Sequence, residues 1–257
     1  MTGMATFGPS DDLRGAEFVD VDLRGTKIDR AYLTGVVMRG VDVGDMEIDS
    51  PWLGEDDTAL WVNGVDVVPF VEAELNRRFP GRSERLATDP DGLRAAWAAV
   101  ERTWEATLAR VAAMPAGTTD VSIDGEWSFA QTLRHLVMAT DIWLRQAVQG
   151  VDRPLHPLGQ PFAEYALDGY DTSVFVEGIP PYDEVLEARA ARVAMVRDYL
   201  AETTPELLAK PCPHPWAPGR EVPAVHCLQT ILNEEWEHHR FAVRDLDAIE
   251  GGRSDAS

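Results

Sequence analysis

The sequence predicts a mostly α protein: an antiparallel four-helix bundle, preceded by a short solenoid of five-residue repeats. Two patterns carry that expectation. Apolar residues recur every five positions from Leu13 to Ile48, a period that fits neither a helix nor a flat strand. Beyond residue 88, four long stretches carry apolar residues at helical spacing, and capping residues or prolines mark where they open. The 257-residue chain is 45% hydrophobic, enough for a real core. Residues 1–50 read as the repeat segment, 51–88 as a connector with one helix, 89–249 as the bundle and 250–257 as a disordered tail.

In the repeat segment Leu13, Phe18, Leu23, Ile28, Leu33, Met38, Val43 and Ile48 are spaced by five without a slip. Small or apolar residues sit two places before most of them, among them Ala16, Val21, Ala31, Val36 and Val41. This pattern resembles the pentapeptide-repeat family, whose chain winds as a square right-handed β-helix with the central residue pointing inward. The resemblance implies that the eight five-spaced side chains face inward. They make only about two coils, and stacked repeats bury a core only with neighbours or caps.

In the connector, Asp66 to Phe79 carries Val67, Phe70, Val71 and Leu75 at near-helical spacing and stops at Pro80-Gly81. Pro69 suits its first turn, and Asn76-Arg77-Arg78 complements the dipole at its C-terminus. The first bundle helix opens on Asp89-Pro90 and carries Leu93, Trp97, Val100, Trp104, Leu108 and Val111. The second opens with the capping box Ser128 and Gln131, carries Leu133, Leu136, Val137, Thr140, Leu144 and Val148, and stops at Gly150. The third follows Pro180-Pro181, with Leu186, Ala190, Val193, Arg197 and Leu200 on one face. The fourth runs from near Pro223 to about Ile249. Four amphipathic helices of this length are expected to pack as a bundle.

The fourth helix carries the chemistry. Leu228, Leu232, Glu235, His239, Ala242 and Leu246 fall on one stripe of the kind that faces a core. A carboxylate and an imidazole one turn apart interrupt it, and neither is buried cheaply without a partner. A divalent metal between them removes that cost, because ligands at i and i+4 reach the same point in space. Glu234 and His238 repeat the spacing one residue back, and such pairs also occur on solvated helices. His135 interrupts the second helix in the same way, beside Leu136 and near Met138, Ala139 and Ile142. Helices two and four of a bundle can face each other across the core, where such proteins build metal sites. His135, Glu235 and His239 then offer three ligands and an open position, the arrangement of a catalytic site. Imidazole with carboxylate suits Zn, Ni, Fe or Mn.

The segments Trp127-Ser128-Phe129-Ala130-Gln131-Thr132-Leu133-Arg134-His135-Leu136 and Glu234-Glu235-Trp236-Glu237-His238-His239-Arg240 resemble the DinB/YfiT-like metalloprotein superfamily. That group includes thiol-dependent transferases and mycothiol-dependent maleylpyruvate isomerases. The resemblance covers roughly residues 89–249 and implies a four-helix bundle with one His on helix two and a His-x-x-x-His or Glu-x-x-x-His pair on the last helix. It places the ligands on His135, Glu235 and His239, and Glu235 gives the isomerase-like variant. It also implies a thiol cofactor, mycothiol or another small thiol.

The long loop Val151 to Pro181, with Phe162, Tyr165, Tyr170 and Phe175, is expected to pack as a cover over the site. Its His156 reads as a surface residue before a fourth ligand. Cys212 and His214 read as structural, since Pro213 holds the backbone between them extended. Cys227 reads as a small core residue. Arg244 suits either an anionic substrate or a salt bridge near Asp245 and Asp247. No catalytic acid or base is assigned. The net charge of −21 argues against nucleic acid or an anionic membrane as partner. Two cysteines make no disulfide framework, no stretch of eighteen apolar residues occurs, and Met1 to Asp12 lacks a signal-peptide pattern. The chain therefore reads as a cytoplasmic monomer or homodimer. The expected function is a metal-dependent enzyme using a low-molecular-weight thiol for S-transfer to, or isomerisation of, a small electrophile. The alternative is a non-catalytic acidic scaffold acting through the repeat face.

Overall fold

A computed structural model describes residues 5–8 and 10–252. The chain divides into two compact units, Met1–Asp49 and Ser50–Ser257. Residues 253–257, most of the expected disordered tail, lie outside the described residues.

In the first unit the five-residue period is written into the backbone, but not as a β-helix. No strand forms among its described residues. Turns close every ten residues, with Ala16, Thr26, Val36 and Met46 donating their N–H to the carbonyls of Leu13, Leu23, Leu33 and Val43. A left-handed residue marks every fifth position: Gly15, Asp20, Gly25, Arg30, Gly35, Gly40 and Asp45. The expected inward burial is corrected. Leu23, Ile28 and Leu33 are 50%, 62% and 52% exposed, and the other five-spaced residues resemble them. So few coils leave too few stacked neighbours to cover each layer.

The second unit opens with a hairpin. β1 (Trp61–Val62) pairs antiparallel with β2 (Val65–Asp66). Asn63 and Gly64, both at positive φ, make the tight turn that Asn-Gly favours. α1 (Val68–Arg78) follows, with Phe70 on its exposed side rather than in a core. Gly81, at φ +97°, turns the chain where a Cβ would meet Ala99 at 2.8 Å. The buried Arg82 then ties the connector to the last helix: it pairs with Glu72 at 3.0 Å and with Glu237 at 3.1 Å.

α2 (Pro90–Ala112) is capped by Asp89, whose side chain accepts from Gly92 N–H, and it buries Leu93, Trp97, Val100, Trp104 and Val111. α3 (Phe129–Thr140) starts at the Ser128–Gln131 capping box, worth about 1 kcal/mol, and is buried almost throughout. It continues into a π-helical segment, Asp141–Val148. α4 (Tyr182–Ala201) buries Val185, Ala188, Arg189, Arg192, Val196 and Leu200. The face expected from Leu186, Ala190, Val193 and Arg197 is therefore rotated by about one residue. Ala190 and Arg197 are exposed, and two arginines point inward instead. The short α5 (Pro205–Ala209) leads to β3 (Pro211–Pro213), which pairs antiparallel with β4 (Glu221–Pro223). α6 (Ala224–Glu250) closes the unit, so Glu250 is helical rather than part of a tail.

α3 packs on α4 and α6, and α2 packs on the same two helices. Trp97, Leu93, Leu133, Leu136, Ile231 and Trp236 form the centre of the shared core and are almost wholly buried. Each such aliphatic side chain contributes roughly 1.5–3 kcal/mol on burial. Among the described residues no helix is long and apolar enough to cross a membrane.

Candidate metal centre

His135 comes from the middle of α3, and Glu234 and His238 sit one turn apart on α6. Glu234 Oε2 lies 3.5 Å from His135 Nε2 and 3.2 Å from His238 Nε2. One ligand atom from each residue falls within 4.8 Å of the others, and among the described residues these three form the one such group. Two ligands held roughly 2.1 Å from one ion at a tetrahedral angle stand about 3.4 Å apart, so the observed separations suit an ion between them.

Protonation supports the same reading. His135 Nδ1 donates to the carbonyl of Gln160 at 2.9 Å. A carbonyl only accepts, so in the neutral ring the proton is on Nδ1 and Nε2 is bare. That bare nitrogen faces a carboxylate oxygen, and two acceptors turned toward one point call for a cation or a shared proton. Burial pushes the Glu234 carboxyl up, and the two imidazoles beside it pull it below the usual carboxylate range only when they are protonated. Burial lowers His238 more than Glu234 raises it, which favours a neutral ring. An ionised carboxylate and neutral imidazoles are the forms that ligate metals.

The walls are aromatic. The Trp127 ring lies 4.7 Å from His135 and stacks on His238 at 5.8 Å, and Phe241 meets His238 edge-on. The side chains of His135, Glu234 and His238 are 10%, 30% and 14% exposed, so the site lies at the rim of the helical core, within reach of solvent.

Of the expected trio, His135 is in this group, whereas Glu235 and His239 are directed elsewhere. The core-facing stripe itself is as expected: Leu228, Leu232, Glu235, His239, Ala242 and Leu246 are all buried. Its two polar members have partners from other helices. Arg189 of α4 donates to Glu235 Oε2 at 2.5 Å and lies over Trp104. Burial still leaves the Glu235 carboxyl raised, with Arg189 opposing. His239 Nε2 lies 2.8 Å from Thr107 Oγ1, whose hydroxyl donates to the Thr103 carbonyl. Thr107 therefore accepts from His239 Nε2–H. Burial among Trp104, Phe79 and Trp236 pushes the His239 ring down to about 4. The pair brought to His135 is thus offset by one residue from the expected one, because Glu234 and His238 lie on the flank of α6 turned to α3 at the rim. The one sequence signal for it was the second Glu-x-x-x-His pair, Glu234 and His238.

The loop 151–181 does reach the site. Arg134 Nε donates to the Leu158 carbonyl at 2.9 Å, Gln160 N–H donates to the Arg134 carbonyl, and Gln160 then meets His135. Tyr165 is buried and packs against Phe162, Tyr170 and Phe175, with Trp216 closing the cluster. His156 stands outside the trio. Its N–H donates to Asp141 and its Nδ1 accepts from Leu158 N–H. Asp141, wholly buried, is also held by Arg192 through two contacts of 3.1 Å. His214 Nδ1 accepts from Trp216 N–H, Cys212 and Cys227 are buried, and burial raises both thiols, Cys227 to about 12. Neither thiol is poised as a nucleophile. Arg244 pairs with Asp245 at 2.7 Å.

The family model of the DinB superfamily matches residues 99–242, which is more than half of the chain. The protein belongs to that superfamily, whose members are typically metal-binding. The matched span holds all three converging residues. No curated protein and no solved structure matches the chain.

Proposed function

We propose that the protein is a metal-dependent enzyme that uses a low-molecular-weight thiol, of the mycothiol type, on a small electrophile, by S-transfer or thiol-assisted isomerisation. The helical unit is read as the antiparallel four-helix bundle of the superfamily, with His135, Glu234 and His238 as the ligands of one divalent ion. The observation that carries the reading is the convergence of one carboxylate and two imidazole nitrogens at the rim, with the His135 tautomer already set. A bound divalent ion of the Zn, Ni, Fe or Mn kind supplies Lewis acidity that favours a thiolate at neutral pH. The chain's own residues hold and shape the site. Trp127 and Phe241 give it apolar walls, and the loop bearing Gln160 covers the His135 side. No side chain is assigned as general acid or base.

The test is elemental analysis of protein purified without chelator, followed by thiol-consumption assays with a panel of electrophiles. The wild type should carry about one equivalent of metal, and His238→Ala and Glu234→Gln should lose most of it. Wild-type protein that binds no added metal would end this reading. It would favour a scaffold acting through the repeat unit, where the exposed five-spaced apolar side chains offer a contact surface.

A further inference from the structure

We propose that Arg134 is a positioning residue for the site: by clasping the backbone of the loop at 158–160 against α3, it keeps the Gln160 carbonyl on His135 Nδ1 and so leaves Nε2 bare and turned to Glu234. The inference rests on the proposed metal reading for its purpose, but its geometry stands without an ion.

Arg134 is 5% exposed, yet among the described residues its guanidinium meets backbone carbonyls alone. They belong to Leu158 at 2.9 Å, Gly178 at 3.4 Å and Gly159 at 3.5 Å. Burying a cation with no carboxylate beside it is costly, and other buried arginines of this unit do not do so. Arg82, Arg189 and Arg192 all meet Glu or Asp. An apolar side chain would fill the Arg134 position at less cost if only packing were needed. What the guanidinium adds is a fork of donors that fixes the loop through its backbone carbonyls.

The neighbouring contacts make that fixation specific. Gln160 N–H donates to the Arg134 carbonyl at 3.1 Å, and its own carbonyl accepts from His135 Nδ1–H. The loop can lie this close because position 159 is glycine. A Cβ there would stand 2.9 Å from Phe175 and 3.3 Å from the Met138 Cβ. Residues 134 and 135 thus hold consecutive parts of one loop, one through its guanidinium and the other through the ring that ligates. A ligating imidazole whose other nitrogen is held by a carbonyl is fixed in tautomer and orientation, and loss of such an outer partner typically lowers metal affinity roughly 10- to 100-fold.

The experiment reads tautomer and affinity separately, on the whole chain. Nitrogen-15 spectra of metal-free protein should show His135 with its proton on Nδ1. In Arg134→Met, that signal should weaken in favour of the other tautomer, and Zn²⁺ affinity measured by chelator competition should fall about 10- to 100-fold. Arg134→Lys, which keeps the charge and some donors but not the fork, should fall between Arg134→Met and the wild type in both. A loss of packing alone would not shift the tautomer or be partly rescued by Lys. The proposal is overturned if metal-free wild type carries the proton on Nε2, or if a folded Arg134→Met keeps both the tautomer and the affinity. Should Arg134→Met fail to fold, the wild-type tautomer and the Lys variant decide. A wild type that binds no Zn²⁺ but shows the tautomer shift in Arg134→Met sinks the metal reading and leaves the clasp standing.

Discussion

Replacing Arg189 with Met leaves the Glu235 carboxyl, its side chain 1% exposed, buried without its partner. Its Oε1 already has no hydrogen-bond partner, and the 2.5 Å contact to Arg189 is the one that satisfies Oε2. Removing one member of a buried pair costs about 3–5 kcal/mol, because the survivor stays buried and unpaired. Arg189→Met should therefore unfold in urea at a markedly lower midpoint, with little change in slope. The double variant Arg189→Met with Glu235→Met should recover most of the loss, since apolar replacement of a whole buried pair is often neutral or better. Neither protein should lose metal, because Glu235 is held by Arg189 and is not among the three converging residues. Urea titration followed by circular dichroism, with elemental analysis of the same preparations, reads both effects. The reasoning fails if Glu235→Met abolishes metal binding, or if Arg189→Met is as stable as the wild type.

His239→Ala should keep its metal yet lose about 2–4 kcal/mol of stability, from the lost Thr107 bond and the cavity beside Trp104 and Trp236; the opposite pattern in the His238 and His239 variants would restore the one-residue-shifted ligand set. Acid should destabilise the fold through the same ring. With a folded value of about 4 against roughly 6.5 unfolded, the unfolded chain binds the proton first between those pH values. Stability is then full above about pH 6.5 and falls as pH drops toward 4, by up to about 3 kcal/mol, and His239→Gln should flatten that part of the profile. Gly159→Ala should push the loop off α3, cost about 1–3 kcal/mol and weaken Zn²⁺ binding in the chelator assay.

Much of the helical unit was legible because its signals are local. Asp89, Ser128 with Gln131, and the prolines at 90 and 223 mark helix starts by chemistry that acts within one turn. The stripes on α2, α3 and α6 were readable because large apolar residues dominate them. The inward face of α4 is not legible in its sequence because its apolar residues do not gather on one side, and Arg189 and Arg192 are part of that face. The hairpin at Asn63-Gly64 carried a clear signal in its turn dipeptide that two-residue strands made easy to pass over. The repeat period did reach the backbone as turns and left-handed corners, but a period cannot say how many neighbours will cover each layer.

The site shows why spacing alone leaves a register open. Two Glu-x-x-x-His pairs stand one residue apart on α6, about 100° around the helix. Burial cost draws attention to the inner pair, because a carboxylate and an imidazole on an apolar stripe demand an explanation. The explanation turned out to be Arg189 and Thr107, and recognising Arg189 required the correct face of α4. A metal that exchanges ligands with solvent also needs an open side, which the wholly buried stripe cannot give and the rim can. The two features are linked through α4: with Arg189 turned inward, Glu235 is paired. Glu234 and His238 are then the pair left facing His135, and Arg189→Met separates the two registers by stability and metal content.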